Sequence, residues 1–160
     1  MKRLINLFAL LVATAVVTGT LMAQTKPSFV GTWKLNLAKS KYEGAPAPKS
    51  LTRTVTAEAG GLKYSFEGEA ADGSKISYSF TSKLDGSDSA VSGVGMAGGA
   101  DTVALAKVSE HKITAASKKS GERIGTSLVD LSLDGKTVTV TTKGKIDGKE
   151  VKTKQVYEKQ

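Results

Sequence analysis

The sequence predicts an all-β protein, a single antiparallel, meandering β-barrel of about 8–10 strands. Short segments in which apolar and polar residues alternate recur along the chain, and this period of two is typical of half-buried strands. Turn pairs such as Asp134-Gly135 and Asp147-Gly148 separate the segments, and Asp-Gly is a preferred pair in tight hairpins. Closing so many short strands into a barrel removes exposed edges. A two-sheet sandwich is the alternative, but the near-uniform hairpin turns favour the meander.

The alternation predicts ten strands after the first residues of the chain. They are Phe29–Leu37, Leu51–Ala59, Leu62–Gly68, Lys75–Ser82, Ser89–Val94, Thr102–Val108, Lys112–Ser117, Ile124–Leu133, Thr137–Lys145 and Glu150–Tyr157. The stretch Ala38–Pro48 is predicted to be irregular, because Pro46 and Pro48 cannot donate to a sheet.

The N-terminal segment has the composition of a secretory signal peptide. Lys2 and Arg3 precede an apolar run to about Val17, and small residues lead to Ala23. We therefore expect cleavage after Ala23, a signal peptide at 1–23, a barrel domain at 24–160, and a periplasmic or extracellular location. An uncleaved anchor is the alternative, since about 20 residues suffice to span a bilayer.

Composition restricts the chemistry available to the chain. There is no cysteine, so disulfides, thiolate metal sites, a cysteine nucleophile and a lipid-modified N-terminal cysteine are excluded. The net charge is +8, of which Lys2 and Arg3 contribute two positive charges. The remaining basic residues are dispersed, which argues against nucleic-acid binding and predicts at most weak contact with anionic envelope surfaces. We expect a monomer without cofactor.

No motif predicts catalysis or a metal site. Neither a nucleophile elbow nor a triad signature is present. His111 is the only histidine, and its position beside a turn predicts an exposed residue rather than a metal ligand. The sequence therefore favours a non-enzymatic protein.

Both ends of the barrel domain resemble known families. Phe29–Leu35 (FVGTWKL) resembles the opening strand of intracellular fatty-acid-binding proteins and the Gly-x-Trp motif of lipocalins, and Val156–Lys159 (VYEK) resembles the closing strand of the former. The whole is similar to exported bacterial lipocalin-like proteins with no assigned activity, through GTWKLN-x-AKSKY, a Pro-rich link and DGK hairpins ending in VYEKQ. The resemblance implies that the first and last strands pair, and that a small apolar or amphipathic ligand is bound.

The chain departs from fatty-acid-binding proteins at their anion-binding positions. Gln155 occupies the position of their carboxylate-binding arginine in the closing strand, Tyr157 matches the neighbouring tyrosine, and Asp130 corresponds by spacing to a second arginine. The Pro-rich link also stands where those proteins insert a helix pair. Binding by the same anion chemistry is therefore not implied.

Five residues are predicted to bind a ligand because strand parity places them on inward faces: Arg53, Tyr64, Tyr78, Gln155 and Tyr157. Arg53 shares a face with Leu51 and Val55, so its charge needs a partner. It either holds a ligand carboxylate or phosphate, or extends its head to water from a strand end. Asp130 is a candidate partner, although Val129, Leu131 and Leu133 form the better core face.

Several other residues have structural interpretations. Trp33 is predicted to fill the base of the barrel. The aromatic residues on paired strands (Tyr64, Phe66, Tyr78 and Phe80) form either packed core or a ligand wall. A basic exterior on the last hairpin is formed by Lys143, Lys145, Lys152 and Lys154. The alternative function is a packed barrel without a cavity that acts through its surface as an envelope or protein-interaction module.

Overall fold

The chain is β-structured throughout the part that the structure, a computed structural model, describes, namely residues 28–146 and 148–160. It forms twelve strands and two single-turn 3-10 helices, at Leu37–Lys39 and Ala97–Gly99. Among these residues no helix is long and apolar enough to cross a membrane. The predicted signal peptide at 1–23 lies outside the described residues.

Alternating burial runs through most of the strands, which confirms the all-β prediction. In chain order the strands are β1 Gly31–Leu35, β2 Lys41–Glu43, β3 Ser50–Glu58, β4 Gly61–Glu69, β5 Lys75–Ser82, β6 Asp85–Ala90, β7 Ser92–Val94, β8 Thr102–Ser109, β9 Lys112–Lys119, β10 Glu122–Leu131, β11 Thr137–Ile146 and β12 Lys149–Lys159.

The strands form one antiparallel sheet that curls into a nearly closed barrel. Its order is β6-β8-β9-β10-β11-β12-β1-β3-β4-β5-β7, with β2 added beside β12. β5 and β6 contact each other across the seam. The first strand pairs with the last, so that Leu35 lies opposite Tyr157. The predicted barrel is thereby confirmed, together with the closing pair that the lipocalin and fatty-acid-binding-protein resemblance implied.

The strand count exceeds the predicted eight to ten because short segments pair independently. Ser89–Val94 was predicted to be one strand, but β6 ends at Ala90 and pairs with β8, whereas β7 begins at Ser92 and pairs with β5. The chain therefore crosses the seam between the two. Gly93 (φ +114°) is required at this crossing, because a Cβ atom there would collide with the β5 backbone at Ser77.

The prediction of an irregular stretch at Ala38–Pro48 was wrong for three residues. Lys41–Glu43 forms β2, with Tyr42 opposite Thr153 of β12. The prolines follow this strand rather than interrupt it. Ser40 precedes it and its Oγ accepts a hydrogen bond from the Val156 backbone N–H at 3.0 Å, which ties the segment to β12.

Large side chains fill one half of the barrel. Six of them are at most 1% exposed: Trp33, Val55, Tyr64, Ile113, Val138 and Tyr157. Trp33 donates from Nε1 to the Phe29 carbonyl at 2.9 Å, and Lys159 Nζ lies 5.1 Å from the centre of its ring. Trp33 is therefore a core residue at the base, as predicted.

The other half of the barrel has a wall of small inward residues on β9, β10 and β11. In register, Ser117, Gly125 and Gly144 form one row, and Ala115, Ser127 and Thr142 form the next. We call these six the small-residue wall. Apart from Gly125 they keep part of their exposure, although they share the inward face with buried Ile113 and Val129. Small side chains take up less of this half of the interior than the large ones take up of the other, so we call it the less filled half.

Candidate functional site

Arg53 lies in the middle of β3, where strict alternation directs its side chain into the barrel. It is opposite Trp33 on β1 and Phe66 on β4. Only 4% of its surface is exposed, so the interpretation of Arg53 as a strand-end residue that reaches water was wrong. Strand parity therefore buries a guanidinium among aromatic side chains.

The buried guanidinium is not neutralised by a carboxylate. None of the ion pairs in the described part of the chain involves Arg53. Arg53 Nε and Tyr64 Oη are both buried, and among the described residues neither has a partner in hydrogen-bond geometry. A buried charge without a partner costs several kcal/mol, so this arrangement is unusual for a purely structural core.

Tyrosine side chains surround this charge and partly compensate it. The Arg53 guanidinium carbon lies 5.1 Å from the centre of the Tyr64 ring, within the range of a cation–π contact. Burial lowers the pKa of Arg53, and the nearby phenols of Tyr64, Tyr157 and Tyr78 partly oppose that shift. An arginine stays protonated under such conditions, so the site is cationic.

Burial also raises the pKa of each neighbouring phenol, while Arg53 lowers it by a smaller amount. This holds for Tyr64, Tyr78 and Tyr157. All three hydroxyls are therefore protonated at neutral pH and are able to donate to an anion.

A hydrogen-bonded chain runs from Tyr157 to β2. Tyr157 Oη donates to Gln155 Oε1 at 3.1 Å, and Gln155 Nε2 donates to Tyr42 Oη at 3.2 Å. With Tyr42, all four tyrosines of the sequence belong to one cluster around Arg53. Sequence reasoning missed Tyr42, although the polar-aromatic-polar order of Lys41-Tyr42-Glu43 is a weak strand signal.

The five predicted site residues therefore lie together. Arg53 interacts with Tyr64, Tyr78 and Tyr157, and Gln155 joins through Tyr157. We call the five residues and Tyr42 the Arg53 cluster. That they bind a ligand stays a prediction.

Stacked rings form one wall beside Arg53. Phe66 and Tyr78 lie 4.6 Å apart between ring centres, and Tyr64 and Phe80 lie 5.0 Å apart. Tyr64 and Phe80 are buried, whereas Phe66 and Tyr78 are half-buried. The first pair is thus packed core, and the second faces a less filled region.

Two cavities occur elsewhere on the described surface. A groove of about 650 Å³ runs over β8–β11 and includes Leu128, Arg123 and Lys143, and Ala115 and Ser127 of the small-residue wall also line it. A hollow of about 290 Å³ lies between Glu43 and Lys152, beside β2 and β12. Neither is lined by a residue of the Arg53 cluster.

Three expectations about individual residues need correction or refinement. Asp130 is not a partner of Arg53, because it lies on the outward face of β10 and pairs with Lys112 at 3.0 Å. Leu133 is not core, because β10 ends at Leu131 and leaves it 84% exposed. His111 is half-buried rather than exposed, and its Nδ1 lies 3.1 Å from the Leu131 carbonyl oxygen.

The basic exterior consists of exposed lysines, and none of them forms an ion pair with a described residue: Lys143, Lys145, Lys152 and Lys154. No group of three or more potential metal ligands occurs in residues 28–146 and 148–160. Inside the barrel, by contrast, the described residues place one buried cation, Arg53, among the phenols of Tyr64, Tyr78 and Tyr157.

Comparisons with known proteins show similarity to solved structures only. No protein-family model matches the chain, and no curated protein matches it either. Among solved structures, the chain is similar to the zebrafish ileal bile acid-binding protein complexed with cholic acid. The two sequences are 12% identical, the match covers 82% of this chain and 98% of the other, and the TM-score is 0.48.

Proposed function

We propose that the protein binds a small amphipathic molecule inside the barrel and that Arg53 receives its anionic head. The observation that carries this proposal is a guanidinium that is 4% exposed and forms no ion pair with the described residues. A ligand carboxylate or phosphate would accept charge-assisted hydrogen bonds from Arg53 and a further bond from Tyr64 Oη. The barrel fold supports a binding role by association only.

The apolar part of the ligand would occupy the less filled half of the barrel interior, which carries the small-residue wall. Phe66 and Tyr78 supply a half-buried aromatic surface there. The small-residue wall supplies room, and it also offers the hydroxyls of Ser127 and Thr142, which lie 2.8 Å apart. A ligand with one anionic end and a compact apolar body fits this division.

We also propose that the protein is exported and acts in the periplasm or outside the cell. The support is the charged, apolar and small-residue order of the first 23 residues. The intact mass of the protein from the envelope fraction should correspond to a chain that begins at Gln24 or within a few residues of it. A full-length species in the inner membrane would contradict export with cleavage.

The binding proposal is tested with a matched pair of probes. Dansyl-labelled undecanoic acid carries an anionic head, and its methyl ester has the same body without the charge. Arg53→Met should weaken binding of the acid by about 10- to 100-fold, which corresponds to a charge-assisted bond of about 1.5–3 kcal/mol. Binding of the ester should change little, because methionine keeps most of the apolar volume.

Arg123→Met is the control, since Arg123 is an exposed arginine on β10 that lines the outer groove. It should leave both probes unaffected. Equal loss of both probes in Arg53→Met would indicate damage to the fold. No binding of either probe by the wild-type protein, or loss confined to Arg123→Met, would overturn the interior site.

A second candidate function is an envelope or protein-interaction module that acts through the outer surface. The outer groove of about 650 Å³ favours it, because Arg123 and Lys143 line this groove and no carboxylate does. A pull-down with anionic envelope components that depends on these two cations, and not on Arg53, would support it.

A further inference from the structure

A glycine-rich segment, Gly95–Ala100, crosses the end of the barrel that carries the small-residue wall. We call it the mouth strap. It begins against β5, where a Cβ atom on Gly95 would come within 2.8 Å of Ile76 Cα. Three residues later, a Cβ atom on Gly98 would lie 2.9 Å from Ile124 Cδ1 and 3.2 Å from Ile146 Cγ1.

The two contacts lie on opposite sides of the barrel. Ile76 belongs to β5, whereas Ile124 and Ile146 belong to β10 and β11. Four strands, namely β12, β1, β3 and β4, separate β11 from β5 in the sheet. The mouth strap therefore bridges the opening directly rather than following the rim.

The mouth strap lies next to the less filled half of the interior. Ile124 and Ile146 are beyond the outermost row of the small-residue wall, formed by Ser117, Gly125 and Gly144. On the other side, Gly93 precedes the strap and lies opposite Tyr78 of the Arg53 cluster. The strap therefore lies across the open end of this half.

Few interactions hold the mouth strap in place. Its backbone hydrogen bonds among the described residues are internal, from Gly99 N to Met96 O at 3.0 Å and from Ala100 N to Ala97 O at 3.5 Å. Met96 is half-buried and packs against the core, Ala97 is exposed, and only Ala100, at the end of the strap, is buried. Segments with few buried contacts open at low free-energy cost.

Glycines provide the hinges on both sides of Met96. Gly95 has φ +86°, and Gly98 and Gly99 have φ +67° and +65°, values that side chains disfavour. Methionine is flexible and adapts to irregular apolar surfaces. Met96 is thus the one large apolar side chain of the segment, and it lies between backbone positions that are free to reorient.

We infer that the mouth strap is the gate to the barrel interior and that Met96 determines what size of molecule passes. As a ligand gate it rests on the proposed function, but access to the interior is measurable without any ligand. Because the chain has no cysteine, one introduced thiol reports access unambiguously.

The test uses Thr142→Cys, a position on the small-residue wall that does not line the outer groove. Labelling by a bulky maleimide should be about tenfold faster when Met96→Ala is added and several-fold slower with Met96→Trp, because the anchor's apolar contact is removed or enlarged. Iodoacetamide, which is small, should discriminate less. Ser117→Cys, also on the small-residue wall and away from the outer groove, repeats the measurement if Thr142→Cys does not fold.

Two controls separate gating from unfolding. Thr126→Cys places the thiol on the outward face of β10 and should label at one rate in every Met96 background. Val94→Ala, at a 60% exposed position just before the strap, should not change Thr142→Cys labelling. Labelling rates that ignore Met96, or that change equally at Thr126→Cys, would overturn the gate.

The outcomes for the gate and for the proposed function are distinguishable. If labelling depends on Met96 but neither dansyl probe binds, the gate stands and the anionic ligand site falls. If the acid probe binds through Arg53 at a rate that Met96→Ala leaves unchanged, and labelling is unchanged too, the site stands and the gate falls.

Discussion

Arg53 and Tyr64 face each other inside the barrel with the guanidinium carbon 5.1 Å from the ring centre, and each keeps a buried polar atom without a hydrogen-bond partner among the described residues. Cores rarely retain such groups unless a function requires them, because desolvation is not compensated. This pair therefore predicts opposite effects of substitution on stability and on binding.

Arg53→Met should stabilise the protein while it removes the preference for anionic ligands. Replacing buried charged groups by apolar side chains of similar volume often stabilises proteins by about 1–4 kcal/mol. Among the described residues Arg53 has no carboxylate partner, so its removal leaves no buried carboxylate unpaired. Urea unfolding without ligand measures the free energy. Arg123→Met, at an exposed position, should stay within about 0.5 kcal/mol of the wild type. A strongly destabilised Arg53→Met would mean that the guanidinium is a structural element.

The tyrosines offer a matched pair of hydroxyl deletions. Tyr64→Phe removes an unpartnered buried hydroxyl and should be neutral or slightly stabilising. Tyr157→Phe removes the donor to Gln155 and should cost about 1 kcal/mol or more. Both rings are 1% exposed, so burial does not explain a difference. Equal unfolding free energies for the two variants would contradict the hydrogen-bond assignment.

The inward position of Arg53 and its tyrosines was predictable because a strand has a strict period of two. Once Leu51 and Val55 are recognised as core, Arg53 must share their face. The same parity set Tyr64 beside Phe66 and Tyr78 beside Phe80. Side-chain direction within a long alternating strand is thus a local property of the sequence.

Features that depend on remote partners were not predictable from the sequence. Tyr42 joins the cluster through Gln155, 113 residues further along the chain, and β2 exists only because β12 offers an edge. The segment around Gly93 has too little alternation to reveal that β6 and β7 pair with different neighbours. The core face of Val129 and Leu131 already favoured an outward Asp130, but its actual partner, Lys112, became evident only from the structure.

Stability should fall as pH rises above about 10. Burial raises the pKa of Tyr64, Tyr78 and Tyr157 above that of an unfolded tyrosine, about 10. A raised pKa of an acid means that the folded state holds the proton more tightly. Its contribution is therefore complete below about pH 10 and is lost as the pH rises towards the folded-state pKa. Urea midpoints between pH 8 and about 11.5, with phenolate absorbance recorded in parallel, measure this loss.

Tyrosine variants identify the source of that pH dependence. The slope of stability against pH should be smaller in Tyr157→Phe than in the wild type, since one shifted group has been removed. Phenolate absorbance of the wild type should rise together with unfolding rather than before it. A phenolate signal that develops fully in the folded protein would contradict burial of the cluster.

Docking of β2 on β12 should depend on Gly44. This residue has φ +76°, and a Cβ atom there would collide with the Glu150 backbone carbonyl. Gly44→Ala should therefore cost more than the roughly 1 kcal/mol expected from a left-handed backbone alone. Gly121→Ala is the control, because Gly121 has φ +83° but an added Cβ atom would meet no atom within 4 Å. Since β2 carries Tyr42, Gly44→Ala should also weaken protection of Gln155 from hydrogen exchange, whereas Gly121→Ala should not. Equal unfolding free energies for the two variants would show that β2 contributes little to the barrel and that Tyr42 is not held at the Arg53 cluster by this pairing.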